Sequence, residues 1–341
     1  MKSFSSFSRC VTSFVVSLLI SFSAISADAE IAKESFKQLS QSLRQLNFNT
    51  SFVVVKNNQA EPYHWLHGII EQSSVENENE PATTQSTELE VLALLNGPRR
   101  DILRINDTVS YIEPEYAPYS IKAEQIVGPI PTVFGQDVSV LENNYHFVSV
   151  GKNRVLGRAA QLIRIVPKDA HRFGYWVWLD QKSSLLLKLA VITNTGKLLE
   201  QIQFTHIEVT DTISENLKQL QATELPKVID VSAQEQNTHL SWQVNWLPDG
   251  FTPIKSDRHR MDISKQTVEF MLFNDGLVDI SVYVNPSKEK QRAVEFANDG
   301  ATLVMNQVLN NIEVSVVGKI PSETANKILN SVSFTRQAII P

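Results

Sequence analysis

The centre of the chain alternates apolar and polar residues with the period of two that β-strands show. Between Val148 and Asp180, β-branched and aromatic residues dominate, and Gly, Pro and Asp interrupt them where turns are expected. Similar runs follow at Leu185–Ile192 and Leu198–Val209, joined by a turn at residues 194–196. The pattern predicts a continuing antiparallel meander.

Before the meander, the sequence predicts one helix and five strands. Apolar residues recur at helical spacing along Ile31–Leu46, so we expect an amphipathic helix lying on the sheet. Pro114 to Pro131 is expected to be an irregular connection, because it contains four prolines. The predicted strands are Phe48–Val55, Tyr63–Ile70, Leu89–Leu95, Arg99–Ile105 and Val109–Glu113.

One segment of this region is strongly acidic. Glu71–Glu90 contains six Glu and few apolar residues. Low hydrophobicity and like charge disfavour a packed structure. The composition predicts a mobile loop here.

The character of the chain changes after residue 210. A polar, helix-tolerant stretch containing Pro226 indicates a linker at 211–238, between a first domain at 28–210 and a second at 239–341. In the second domain, Val268–Phe273 pairs with Val278–Val284 across an Asn-Asp-Gly turn, and Glu323–Val332 has the spacing of a helix. The fold class predicted is α+β.

The N-terminus has the pattern of a secretory signal. Lys2 and Arg9 precede an uncharged run of roughly 16 residues, and small residues follow it. An uncleaved anchor would need about 20 apolar residues, and Ser and Thr interrupt this run. Cleavage after Ser26, Ala27 or Ala29 fits, and we place the signal at residues 1–27. Export across the cell membrane is therefore predicted.

Removing the signal also removes Cys10, the only cysteine. Neither disulfides nor a cysteine-ligated zinc site is then expected in the mature protein. The formal net charge falls from −6 to about −8, which argues against a nucleic-acid partner. A local basic cluster lies at 152–172, where Arg154 and Arg158 are candidates for contact with an anionic headgroup, although a solvated strand end is the simpler interpretation.

The histidines and acidic residues of the chain do not form a pattern typical of catalysis or metal binding. His64 and His67 are three apart in a predicted strand, so their rings should face opposite sides, and no further ligand completes a metal set. Glu113 and Glu115 flank a proline in a turn and are better explained as solvated charges than as an acid–base pair. No nucleophile elbow, phosphate loop or dinucleotide fingerprint occurs. We predict neither metal nor cofactor, and a binding protein rather than an enzyme.

The aromatic strand offers a possible lipid site. Trp176 and Trp178 share one face, with Tyr175 and Val177 on the other. A sheet with apolar side chains on both faces is either covered on both or lines a cavity that an acyl chain could fill, at ~0.8 kcal/mol for each buried methylene. The predicted lining residues are Ile163, Ile165, Tyr175, Val177, Leu187, Leu189 and Phe204.

Several short segments stand out along the chain. They are NGPRR (96–100), SYIEP (110–114), VGKNRVLGR (150–158), VWLD (177–180), GKLLEQ (196–201), WLPDGF (246–251), DGL (275–277) and VGKIP (317–321). They are spread over most of the mature chain, and taken in order they resemble the MucB/RseB family of periplasmic regulators of the bacterial envelope stress response.

The resemblance implies a fold and a partner. The expected fold is an unclosed antiparallel β-barrel around helices, similar to the lipoprotein carriers LolA and LolB, followed by a smaller α+β domain. The expected function is to bind the periplasmic segment of a membrane-spanning anti-sigma factor of the RseA/MucA type and to shield it from site-1 proteolysis. Lipid signals such as lipopolysaccharide would release it.

Two other functions stay open, a periplasmic lipid or lipoprotein carrier and an envelope hydrolase, and so does homo-oligomer formation. The second domain favours the regulator, because a carrier does not need it. Arg258, Arg260 and Tyr283 are the predicted partner contacts, since Arg and Tyr are enriched in binding hot spots.

Overall fold

A computed structural model of the chain describes residues 28–73, 84–229, 240–260 and 267–334. The predicted signal at 1–27, the middle of the acidic segment and the last part of the predicted linker lie outside these residues.

The first sheet is a single antiparallel sheet of eleven strands. Its spatial order is β6-β5-β4-β3-β2-β1-β11-β10-β9-β8-β7, so the two edge strands do not pair and the barrel is unclosed. The strands are β1 (Asn47–Lys56), β2 (Gln59–Ser73), β3 (Thr84–Leu94), β4 (Arg100–Ile105), β5 (Thr108–Ile112), β6 (Tyr119–Lys122), β7 (Tyr145–Val155), β8 (Arg158–Pro167), β9 (Gly174–Asp180), β10 (Leu186–Ile192) and β11 (Leu198–Thr210).

A helix covers one face of this sheet. The helix, α1, spans residues 28–45, and its residues Ala32, Phe36 and Leu39 are buried in the main core. The Phe36 ring packs on Phe134 and Phe147, with centroids 5.3 and 5.6 Å apart. Each such side chain contributes about 1.5–3 kcal/mol on burial. The amphipathic helix predicted from the spacing is confirmed.

The connection between β6 and β7 contains two short 3-10 helices, Thr132–Gly135 and Val138–Leu141. Both contribute buried side chains to the core. The structure also places β6 inside the segment that was expected to be irregular. This strand is only four residues long, and its sequence lacks the repeated alternation that identifies longer strands.

The acidic segment is more ordered at its ends than its composition predicts. Ser73 pairs with Thr84, and β2 and β3 continue as a ladder from there to Tyr63 and Leu94. The expectation of a mobile loop is therefore wrong for residues 71–73 and 84–88, and the strand predicted from Leu89 begins five residues earlier. The reason is that Glu88 and Glu90 meet Arg104 on the neighbouring strand, which neutralises their charges.

A second helix, α2 (Glu215–Gln221), follows the first sheet. Ser214 caps it, since its side chain accepts a hydrogen bond from the Leu217 amide. Leu217 and Leu220 pack against Leu66 and Leu89, so α2 covers β2 and β3 on a separate small core.

The C-terminal part forms a six-stranded antiparallel sheet in the order β13-β14-β15-β18-β17-β16, and a two-stranded ribbon of β12 and β19. Helix α3 (Ser322–Ser331) packs on β17 and β18. The predicted hairpin and helix are confirmed, and β13, β16, β17 and β18 complete the sheet. The strands are β12 (Trp242–Val244), β13 (Thr252–Arg260), β14 (Thr267–Asn274), β15 (Asp279–Pro286), β16 (Gln291–Asp299), β17 (Thr302–Leu309), β18 (Ile312–Gly318) and β19 (Val332–Phe334).

Together these elements confirm the predicted fold class, an unclosed antiparallel barrel with helices and a smaller α+β unit. One main core runs through both parts, since Phe273 and Ile280 of the second sheet belong to the same cluster as Phe36 of α1 and Tyr175 of the first sheet.

Candidate binding sites

Six of the seven predicted lipid-lining residues lie in the closed core beneath α1. All seven are at most 2% exposed, and neither of the two cavities described below is lined by any of them. Alternation identified their common face correctly, but it could not show that a helix fills the space over that face. The six are Ile163, Ile165, Tyr175, Val177, Leu189 and Phe204.

Leu187 departs from the predicted alternation. The ladder between β9 and β10 shifts register between Leu186 and Lys188, which is a β-bulge. The extra residue reverses the alternation, so Leu187 packs on the opposite face, with Trp178. The expectation that Leu187 shares a face with Leu189 is wrong for this reason.

The two predicted headgroup arginines differ in their surroundings. Arg154 is exposed at the end of β7. Arg158 donates two hydrogen bonds to Asp180, at 3.1 and 2.8 Å, and the Asp180 side chain is almost fully buried. This pairing raises the pKa of Arg158. Its guanidinium is therefore already neutralised by a neighbouring strand.

An open cleft lies at the other end of the first sheet. It has a volume of about 500 Å³ and lies between the end of α1, the face of β1–β4 with the β4–β5 turn, and the segment before β7. Its lining combines an apolar floor with charged walls. The apolar residues are Leu43, Phe52, Trp65, Leu92, Ile126 and Ile130, and the charged ones are Arg44, Glu88, Glu90, Arg104, Asp107 and Glu124.

A buried ion-pair network forms one wall of the cleft. Arg104 is 5% exposed and donates to both Glu88 and Glu90, and Glu90 also accepts a hydrogen bond from the Trp65 indole at 2.7 Å. Burial alone would raise the pKa of Glu88, but hydrogen bonds from His67 and Arg104 outweigh it and lower that pKa to about 2.

His67 connects this network to α1. Its Nδ1 lies 2.7 Å from the Leu46 carbonyl oxygen and its Nε2 lies 2.9 Å from Glu88 Oε1. Both neighbours accept hydrogen bonds, so both contacts are made only when the ring carries two protons. His64 bonds separately to Asn49, so the two histidines share no ligand site.

A second cavity, of about 720 Å³, lies between α1 and the ends of β9–β11. Its lining is mostly polar, and Arg158 is one of its residues.

Among the residues that the structure describes, no cluster of three or more His, Cys, Asp or Glu is arranged to hold a metal. Within the same residues, no helix is long and apolar enough to cross a membrane.

The two sheets meet around a buried arginine. Arg172 precedes β9, is 1% exposed and pairs at 2.7 Å with Asp275 in the β14–β15 turn. The Tyr145 hydroxyl donates to the same Asp275 carboxylate at 2.8 Å. Arg172 also pairs with Asp169 and donates to the Asp249 carbonyl oxygen. Burial and the Asp275 charge raise the pKa of Tyr145.

Further ion pairs join the sheets at a second place. Lys56 at the end of β1 lies 2.6 Å from Asp299, and Lys319 lies 2.7 Å from the buried Glu200 of β11. Gly300 fits closely here, because its φ is +62° and an added Cβ would come within 2.8 Å of Lys56 Cβ. The relative position of the two domains is thus held by several specific contacts, which no short sequence motif indicated.

The predicted partner contacts lie on the second sheet. Arg258 on β13 is 45% exposed and pairs with Glu269, and Tyr283 on β15 is half-buried and stacks on Phe270. Arg260 ends β13, where its backbone pairs with Thr267. The structure therefore brings Arg258 and Tyr283 onto one sheet, but with each already in contact with a neighbour.

Two family models match the chain. The MucB/RseB N-terminal domain matches residues 31–79 and 81–229, and the MucB/RseB C-terminal domain matches residues 236–333. Among relatives, the Sigma-E factor regulatory protein RseB of Escherichia coli is 29% identical over 328 residues, covering 94% of this chain and 97% of that protein. The Sigma factor AlgU regulatory protein MucB of Pseudomonas aeruginosa is 27% identical over 326 residues, with the same coverage.

Solved structures give the same family. MucB in complex with MucA(peri) aligns with a TM-score of 0.66 at 26% identity, over 89% of this chain and 99% of that chain. The complex of Pseudomonas aeruginosa MucA and MucB aligns with a TM-score of 0.67 at 26% identity, with the same coverage.

Proposed function

The chain belongs to the MucB/RseB family, and from this membership we propose that it is a negative regulator of an envelope stress response that binds the periplasmic segment of a MucA/RseA-type anti-sigma factor. One observation carries the proposal. The chain aligns with 99% of a MucB chain solved together with MucA(peri), so both domains of that binding protein have a counterpart here. Its relatives are regulatory binding proteins, and the proposal needs no catalytic group.

The domain interface supports a partner site that uses both domains. Arg172 and Asp275 form a buried ion pair between the two sheets, and the partly exposed Lys319 pairs with the buried Glu200. Buried pairs of this kind are costly to break, so the two sheets present one continuous surface to a partner. Arg258, Arg260 and Tyr283 stay proposed contacts on the second sheet.

The proposed action is protection. The protein would reside in the periplasm, as the signal-like N-terminus predicts, and would cover the anti-sigma segment where the site-1 protease cuts. A protease cuts a chain that enters its active site in an extended conformation. Binding lowers the concentration of free anti-sigma segment that can do so, and cleavage slows.

Release by an acyl lipid is the second half of the proposal. The 500 Å³ cleft has an apolar floor that would accept an acyl chain, with Arg44 and Arg104 in its lining. The six core residues beneath α1 continue the apolar surface inward. A lipid would reach them only after α1 moved. That movement would change the surface that binds the anti-sigma segment, and so couple lipid binding to release.

A protease assay tests protection. The anti-sigma periplasmic segment is incubated with its site-1 protease alone, with excess protein, and with excess protein plus lipopolysaccharide. We expect cleavage to slow with the protein and to recover with the lipopolysaccharide. Equal cleavage in all three, with folded protein in excess, contradicts the proposal.

The second candidate is a lipid or lipoprotein carrier, which the open apolar cleft favours. A carrier would bind a fluorescent fatty acid without retaining the anti-sigma segment on immobilised protein. A regulator retains the segment, with or without lipid binding. The retention measurement therefore separates the two.

A further inference from the structure

The face of the first sheet opposite α1 carries two tryptophans in adjacent cross-strand rows. In the first row, Arg164 of β8 is next to Trp176 of β9. In the second row, Trp178 of β9 is next to Lys188 of β10. We call these four residues the Trp–cation face.

Each cation of the Trp–cation face lies over an indole ring. The Arg164 guanidinium carbon is 5.5 Å from the Trp176 ring centroid, and the Lys188 ammonium is 4.9 Å from that of Trp178. The two indoles are 6.1 Å apart. Cation–π contact holds both charges against the sheet and leaves them without a counter-ion.

Neither cation has an acidic partner among the residues that the structure describes. Asp180, which lies on the same face in the next cross-strand row, is bound instead by Arg158 and Ser183. Burial lowers the pKa of Lys188, and no described carboxylate opposes that effect. In a chain of net charge −6, this face thus carries positive charge that is not neutralised, which calls for an anionic partner.

The shape of the face indicates the kind of partner. Trp178 is only 7% exposed, so its ring does not project, and neither described cavity is lined by any of the four residues. Anchor side chains of a protein partner need pockets to fill. What the face presents is the exposed Arg164, the partly exposed Trp176 and Lys188 over the Trp178 ring. An indole beside basic groups is typical of protein at the membrane–water interface, where basic groups meet anionic headgroups.

We propose that the Trp–cation face docks on the anionic lipid surface of a membrane. The exposed Val148, opposite Arg164 on the edge strand β7, lies beside it and would reach the headgroup layer. The inference rests on the proposed function in one respect only. A partner that spans the membrane holds this protein close to the bilayer, where two cations and the partly exposed Trp176 suffice to orient it.

The test uses the purified exported protein and sedimentation with vesicles of phosphatidylglycerol mixed with phosphatidylcholine, or of phosphatidylcholine alone. We expect binding to the anionic vesicles at low salt, and a partition coefficient about thirty-fold lower for Arg164→Gln/Lys188→Gln. The matched control is Lys288→Gln/Lys290→Gln, which removes two exposed charges from the β15–β16 turn and should bind almost as the parent does. Circular dichroism checks that each variant is folded.

Competitors identify the source of the negative charge. Inorganic phosphate or glycerol phosphate at millimolar concentration should not displace the vesicles, and displacement would assign the face to a free phosphate ligand. Equal binding by the parent and Arg164→Gln/Lys188→Gln, or no binding by either, overturns the inference. So does loss of anti-sigma retention in that variant with vesicle binding intact, which would assign the face to the protein partner. If the parent retains the anti-sigma segment but ignores vesicles, the proposed function stands and this inference fails.

Discussion

Arg172 makes more contacts between the two domains than its position in a loop suggests. Its guanidinium pairs with two carboxylates, donates to a backbone carbonyl and lies over the rings of Tyr145 and Phe251. A buried charge with this many partners is favourable only while all of them are present. In the sequence, Arg172 is only one member of a basic cluster. Its ion-pair partner, Asp275, lies 103 residues further along the chain, so no local pattern indicates the contact.

Replacing Arg172 tests this contact. Arg172→Met keeps much of the volume but leaves Asp275 buried without its cation, so we expect a loss of about 3–5 kcal/mol of stability. Urea denaturation measures it. The control, Arg154→Met, changes an exposed arginine and should cost less than about 0.5 kcal/mol. A similar small loss for both variants would mean that Arg172 does not hold the domains together.

Glu88 provides a pH-dependent test. Its pKa is about 2 in the folded protein against an ordinary value of 4.5, so its contribution to stability is present above pH 4.5 and is lost as the pH falls towards 2. The shift corresponds to about 2 kcal/mol once solvent screening is allowed for.

We expect Glu88→Gln to be less stable than the parent at pH 7 and to approach it near pH 2.5. Thermal melting at several pH values measures the difference. Glu215→Gln, at an exposed helix position, is the control and should differ little from the parent at any pH. A constant difference between Glu88→Gln and the parent across that range would show that the Glu88 carboxylate is not held ionised by His67 and Arg104.

At the scale of elements, most of the first sheet follows from alternation alone. Tyr175 and Trp176 face opposite sides as predicted, because β9 is regular. Leu187 does not lie on its predicted face, because the β-bulge beside it depends on pairing with β9, which no local pattern encodes. Residues 84–88 of β3 lack a local strand signal for a similar reason, since Glu88 and Glu90 are acceptable in a sheet only when Arg104 lies on the neighbouring strand.

Helix α1 packs on the inner face of the first sheet, and this packing makes that face part of the core and not the lining of a cavity. Phe36→Ala removes the ring that packs on Phe134 and Phe147, and we expect a loss of about 3–5 kcal/mol of stability. Lys37→Ala, on the exposed side of the same helix, should change stability by less than about 0.5 kcal/mol. Calorimetric melting of both variants checks this, and a loss below 1 kcal/mol for Phe36→Ala would contradict close packing beneath α1.

At the scale of the whole molecule, the sequence of 341 residues predicts a sheet-rich binding protein of two domains. Its resemblance to the MucB/RseB family indicates which kind of binding protein. The binding sites were harder to predict. The cleft is formed by segments from residue 43 to residue 136, and the domain interface joins residues more than 100 apart. Such surfaces depend on tertiary contacts that neither periodicity nor composition contains.

Equilibrium binding between the exported protein and the periplasmic segment of a MucA/RseA-type anti-sigma factor from the same bacterium tests the central claim most directly. Isothermal titration calorimetry should give saturable heat, with a dissociation constant of about 1 μM or tighter, and a scrambled-sequence segment should give none. Absence of saturable heat from the native segment at ~100 μM, with both components folded and monodisperse, would contradict the assignment of this protein as an anti-sigma-binding regulator.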